Sequence, residues 1–151
     1  MEIKMAASPI TKIINEFLEP FECEAKVGLD FAFYSESNTI TYSLVLVDRF
    51  AQSFENYCKS LFPDVQANIF IWSLLHEVGH RETEDDFDDE EWEEYMEVIG
   101  SELSEQEYYS LPIEHAATVW AGEYIQSHEK EITRLWEDLA AALKKFYSAI
   151  E

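Results

Sequence analysis

The chain has 151 residues, 47% of them hydrophobic and 15% aromatic, which is the composition of a folded domain rather than of a disordered segment. Against 10 Lys and Arg stand 32 Asp and Glu, a formal net charge of −22. So negative a chain repels phosphate backbones and acidic lipid, which argues against a nucleic-acid partner and favours basic proteins or divalent cations.

Ser8 and Pro9 mark a helix start, Ser as N-cap and Pro in the first turn, with Ile10, Ile13, Ile14, Phe17 and Leu18 following at helical spacing until Pro20. From Cys23 to Phe33 the pattern turns strand-like. Phe31–Tyr34 and Thr39–Tyr42, rich in aromatic and β-branched residues, flank the small polar link Ser35-Glu36-Ser37-Asn38 and predict a hairpin. A short antiparallel sheet of about three strands is expected there. A helix from Leu44 to Leu61 ends before Pro63, and Asp64 is placed to cap the next, running to about Arg81.

Residues 82–97 hold eleven acidic side chains and no basic one, interrupted by Phe87, Trp92, Tyr95 and Met96, which implies a helix with a packed edge. Ser104 and Glu107 have capping-box spacing, and Pro112 opens a helix carrying Glu114, Ala117, Trp120, Ala121 and Tyr124. From Lys130 to Ile150 apolar residues recur at Ile132, Leu135, Trp136, Leu139, Leu143, Phe146 and Ile150, one long amphipathic helix. With no repeat and no Gly/Ser linker, the expectation is a single α+β domain over residues 1–151. Cys23 and Cys58 show no CxxC spacing and read as reduced, packed thiols, one disulfide being the alternative. No secretory pattern or run of about eighteen apolar residues occurs, so a cytoplasmic protein with no membrane span is expected.

The chemistry concentrates in His76-Glu77-Val78-Gly79-His80. Residues four apart on a helix differ by about 40° around its axis, so His76 and His80 project from one face a turn apart and can share one tetrahedral zinc ion. Glu77 lies about 100° from His76 and about 60° from His80, beside the metal without being a ligand. Zinc lowers the pKa of a water it binds towards neutrality, and a neighbouring carboxylate can accept the proton as the oxygen attacks a carbonyl. Metal-assisted hydrolysis therefore accounts for each residue type in the motif. The bland alternative is a chance match on an ordinary helix, but only four His occur in the chain and two of them fall here. Gly79, off the metal face, would let the helix approach a neighbouring strand closely.

A catalytic zinc needs a third protein ligand and an open position. After His80 come Arg81-Glu82-Thr83-Glu84-Asp85-Asp86, with no further His, which leaves an acidic ligand. Glu114, 34 residues on, has Ala117 and Ala121 on its own face, small enough to pack against the metal helix. Asp85, Asp86 and Asp88, which otherwise belong to a solvated charge run, and His115 are the alternatives. Tyr108, Tyr109, Tyr124, His115 and His128 are candidate donors to a developing oxyanion, each also readable as an ordinary packed or surface residue.

HEVGH followed by Glu114-His115-Ala116-Ala117-Thr118-Val119-Trp120-Ala121 resembles the gluzincin pattern, and looks most like the small ImmA/IrrE-like metallopeptidases of bacteria and phages. The likeness spans roughly Phe31 to Ile125 and rests on two short motifs. It implies a minimal zincin-like domain, with a short sheet packed on the active-site helix. It implies His76, His80 and Glu114 as ligands of Zn2+, Glu77 as general base, and the strand near Ile40 as the edge along which a substrate peptide lies. The acidic stretch at 82–97 is not part of that pattern, and the terminal helix stands where no DNA-binding segment is recognisable. The expected function is a zinc metallopeptidase acting on a peptide or protein, with a preference for basic sequence if the acidic stretch borders the cleft. Otherwise that stretch is a solvated face. The competing reading is a non-catalytic acidic protein that keeps the scaffold to engage a basic partner, but such a protein has no need of Glu77. A purely structural zinc site is disfavoured by an incomplete His and Glu ligand set.

Overall fold

The computed structural model describes residues 6–45 and 48–150. Among them are seven α-helices, two short 3-10 turns and a three-stranded mixed sheet, an α+β architecture. None of these helices is long and apolar enough to cross a membrane. The chain forms two compact units, one from the residues up to Val45 together with those from Ser127 onward, the other from the residues between, up to Gln126.

In the first unit, α1 (Ser8–Leu18) buries Ile10, Ile14, Phe17 and Leu18, the stripe that the sequence spacing marks out. Its N-cap is Ala7 rather than Ser8, and no side chain caps it; Pro9 occupies the first turn, where a missing N–H costs nothing. Strands β1 (Glu24–Gly28), β2 (Ala32–Tyr34) and β3 (Thr39–Ser43) follow. The hairpin of β2 and β3 forms as expected, with Asn38 at φ 49° in the left-handed region that asparagine tolerates. The sheet is not purely antiparallel, however. Its order is β1-β3-β2, and β1 runs parallel to β3, pairing Glu24 with Thr39 through to Gly28 with Ser43.

The strand containing Ile40 is therefore central, paired on both sides at Thr39–Thr41, and offers no free edge there for a peptide. The sequence reading fails because strand order is set by which strand fills the slot between β1 and β2, a non-local choice. The outer side of β1 is tied back to α1, where the amide of Ala25 donates to Asn15 Oδ1 at 2.7 Å. Helix α7 (Glu129–Ile150) packs on α1 through a face that buries Ile132, Leu135, Leu139 and Phe146.

The second unit holds α2 (Asp48–Leu61), α3 (Ile69–Thr83), α4 (Asp89–Ile99), α5 (Glu105–Ser110) and α6 (Pro112–Ser127). Helix α2 is described from Asp48; Leu44, the expected start, lies in a bend, and residues 46–47 are outside the described residues. Helix α3 is capped by Asn68, not Asp64: Asn68 Oδ1 accepts from the Ile71 amide at 3.0 Å, while Asp64 lies in the turn after Pro63. Both residues are good caps by type, and only the position of the apolar run in the core selects between them. Capping boxes start α5 at Ser104/Glu107, as its spacing predicts, and α4 at Asp88/Glu91, a pattern equally present in the sequence. Cys23 and Cys58 are buried and are not joined in a disulfide.

Candidate metal centre

The middle of α3 is almost wholly buried, from Phe70 to Gly79 except Ser73, so its histidines stand inside the second unit rather than on its surface. The one-turn spacing sets the His76 and His80 rings edge to face, with centroids 4.6 Å apart. Phe54 of α2 packs edge-on against the His76 ring at 5.1 Å and limits its rotation.

Glu114 sits in the first turn of α6, where the helix dipole favours a negative side chain. Its side chain is only 3% exposed, which separates it from the many helix glutamates that face water. Oε1 lies 3.0 Å from His76 Nε2 and 3.1 Å from His80 Nε2, so three donor atoms on two helices converge on one point. Asp85, Asp86 and Asp88 are exposed, and His115 turns its Nδ1 to the Tyr57 hydroxyl at 2.6 Å. Of the acidic and histidine alternatives, Glu114 is the one brought to the pair.

Gly79 makes that convergence possible, though not against a strand. A Cβ there would lie 2.4 Å from the carbonyl oxygen of Ala117, so the missing side chain lets α3 cross directly over the backbone of α6. Ala117 is one turn beyond Glu114, and the close crossing brings the carboxylate to the histidines.

Thr118 donates its hydroxyl to the carbonyl oxygen of Glu114 at 3.2 Å, so Oγ1 can accept from His76 Nδ1, 2.9 Å away, in the tautomer protonated at that nitrogen. A proton on Nδ1 leaves Nε2 of neutral His76 as a bare lone pair. Burial, outweighing the pull of Glu114, lowers the His76 pKa and keeps this ring neutral. In that tautomer Nε2 and Glu114 Oε1, 3.0 Å apart, would both be acceptors, and a cation between them would satisfy both; in the other, Nε2 donates to Oε1 directly. For His80, burial works against the charged form. The hydrogen bond to Glu114 and the charges of Glu77, Glu114 and Glu84 overcome it, so the pKa is raised. Burial would likewise raise Glu114, but the hydrogen bonds and charge of the two histidines hold it well below the usual carboxylate range. The cluster is thus two neutral-capable imidazoles and one anion.

That donor set suits zinc. Ligands about 2.0–2.1 Å from a tetrahedral zinc lie about 3.3 Å from one another, close to the 3.0 and 3.1 Å found here. The His76 Nδ1 bond to Thr118 is the kind of outer contact that fixes a metal-binding tautomer. The ligating atoms of His76, Glu77 and His80 also lie within 4.8 Å of one another, so on distance alone Glu77 qualifies as a ligand too. Glu114 is the better third ligand, because a single oxygen is at coordination spacing from both nitrogens. Glu77 remains beside the cluster, 9% exposed. His80 is the most open of the three donors, its side chain 14% exposed against 8% for His76, so solvent reaches the cluster from that side.

Two tyrosines close the opposite wall. Tyr95 of α4 and Tyr108 of α5 both donate to Glu114 Oε2, the latter at 3.1 Å. Burial, then the charge of Glu114, raises both phenols well above their ordinary pKa, so both keep the proton they donate; the two hydroxyls also hydrogen-bond each other. Of the candidate oxyanion donors, Tyr108 is at the cluster. Tyr109 packs on Phe54 and Tyr57, Tyr124 stacks on Trp120, and His128 is exposed. Tyr95 is the participant that sequence reasoning misses as a site residue; its one signal is an aromatic hydroxyl set among carboxylates.

No protein-family model matches the chain, and neither a curated protein nor a solved structure matches it.

Proposed function

We propose that the protein is a zinc-dependent metallopeptidase of zincin-like, gluzincin type, with His76, His80 and Glu114 as metal ligands and Glu77 as general base. The observation that carries the reading is the placement of Glu114 Oε1 at 3.0 and 3.1 Å from two histidine Nε2 atoms, a spacing at which one cation can bind all three. Zinc bound there would supply Lewis acidity to a water and to the carbonyl that the water attacks.

The chain's own residues do the rest. Glu77, on the same helix and next to His76, takes the proton lost by the water as its oxygen bonds to the carbonyl carbon. It then passes that proton to the amine as the C–N bond breaks. Thr118 keeps His76 in the tautomer that presents Nε2. Phe54 and the buried face of α3 keep bulk water from the ligand side and so strengthen the local electrostatics. The acidity of the chain favours peptide substrates with basic residues near the scissile bond.

The test is a three-variant comparison. Purified wild type should carry about one zinc per chain by elemental analysis; His76→Ala should lose it and Glu114→Ala should bind it markedly less tightly. Glu77→Gln should retain zinc and lose about 10²–10⁴-fold in hydrolysis of a peptide library. Equal cleavage by the Glu77→Gln protein would rule out this mechanism. Zinc retention with no cleavage by wild type would favour the competing reading, a non-catalytic acidic protein that engages a basic partner.

A further inference from the structure

The acidic stretch after Arg81 takes no part in the hydrolysis proposed above, yet it sends one side chain to the heart of the cluster. Helix α4 buries none of its residues fully, and Asp89, Glu90, Glu91, Glu93, Glu94 and Glu97 all face solvent. The inward positions are Trp92, Tyr95 and Val98. Trp92 Nε1 donates to the carbonyl of Glu84 at 3.3 Å, a contact within the same stretch. Tyr95 reaches Glu114 Oε2. A helix this acidic could not approach a buried carboxylate with its own carboxylates, and it presents a phenol instead.

Tyr108 of α5 donates to that same oxygen at 3.1 Å. A carboxylate has two oxygens and about four acceptor positions. At Glu114 the two oxygens are divided: Oε1 faces the histidine nitrogens and Oε2 faces the two phenols. A carboxylate free to turn about its terminal bond could present either oxygen, or both, to a metal. With Oε2 held by donors from two separate helices, only Oε1 is offered.

We propose that Tyr95 and Tyr108 are positioning residues that clamp Glu114 as a one-oxygen metal ligand, and that α4 is the element that delivers half of the clamp. This inference rests on the metal site proposed above. The acidic stretch is then part of the metal centre's outer wall and not only a solvated surface. Removing a hydroxyl while keeping its ring leaves packing intact but takes one of the two donors from Oε2 and loosens the carboxylate, so metal affinity should fall even though neither residue touches the metal.

The experiment uses the full chain and zinc alone. Zinc affinity is measured by competition with a chromophoric chelator for wild type, Tyr95→Phe, Tyr108→Phe and the double variant. Cobalt(II) absorption spectra of the same four proteins report coordination geometry, and metal-free melting and far-UV circular dichroism check the fold. Loss of an outer contact to a metal ligand typically costs about 10–100-fold. Each single variant should bind zinc about 10-fold more weakly and the double variant more weakly than either, with altered cobalt bands and an intact metal-free fold. Should Tyr95→Phe fail to fold, Tyr108→Phe, on a different helix, reads the same clamp. Tight binding by wild type with both variants within about twofold of it and unchanged spectra would overturn the clamp alone. No zinc binding by wild type would instead remove the metal site, and the clamp with it.

Discussion

Gly79→Ala adds one methyl group where α3 crosses α6. Its Cβ would lie 2.4 Å from the Ala117 carbonyl oxygen and 3.0 Å from that residue's carbonyl carbon and Cα, whereas ordinary contact begins at 3.4 Å. All three atoms are backbone, so no side chain can swing aside and the helices must part by about 1 Å. In an unobstructed helix the same change would stabilise by about 1 kcal/mol. Overpacking costs about 1–3 kcal/mol, and a backbone-on-backbone contact belongs at or above the top of that range. The clash therefore decides the sign, with a net loss of about 2 kcal/mol or more and a fall in Tm of at least roughly 4–8 °C.

The functional consequence is larger than the thermodynamic one. Parting the helices moves the histidine nitrogens away from Glu114 Oε1 by a similar distance, well beyond the tolerance of about 0.2 Å for metal–ligand distances. Zinc affinity should drop at least about tenfold. Metal-free thermal unfolding and chelator competition measure both effects. Gly100→Ala is the control, because its Cβ would meet nothing nearer than the Glu97 carbonyl oxygen at 3.4 Å, and it should stay within about 0.5 kcal/mol of wild type. A Gly79→Ala protein as stable as wild type and equally tight for zinc would refute the argument from close crossing.

Two further outcomes are expected. In metal-free protein the His80–Glu114 pair adds stability that is complete below pH 6.5 and is lost as pH rises through His80's raised pKa, while buried His76 acts in the opposite sense. Imidazole NMR should show one ring titrating above 6.5 and another below it, and both titrating at 6.5 would contradict the asymmetry. Because zinc must displace the His80 proton, its affinity should rise with pH until that value is passed. Cys23 and Cys58 are buried, and burial pushes the Cys58 thiol well above its ordinary range. Native protein should therefore label slowly with a thiol reagent at neutral pH while two thiols react at once in denaturant, and rapid native labelling would count against the packing described.

What was legible in the sequence is what depends on near neighbours. His76 and His80 share a face because a helix turns about 100° per residue, and no distant contact is needed to know it. Ser104 with Glu107 caps α5, and Pro112 opens α6, by bonds or sterics that span at most a few residues. The apolar period of α7 likewise foretells which side of it is buried. Glu114 is an intermediate case: residue type and helix face nominated it, but Asp85, Asp86, Asp88 and His115 competed until its burial and its two nitrogen partners were seen.

The remainder came only with the tertiary structure. The parallel pairing of β1 with β3, the central place of the Ile40 strand and the choice of Asn68 over Asp64 as cap turn on competing partners that local preference does not rank. Gly79 could be seen to permit a close approach, yet that it meets the Ala117 carbonyl of another helix is a fact of packing. Tyr95 is the plainest instance. Within a run of carboxylates its hydroxyl has no local mark of function, and it gains one because α4 docks with that edge turned towards Glu114. Helical periodicity is a property of one segment and can be read along it, whereas a contact between segments is settled by the free energy of the whole core.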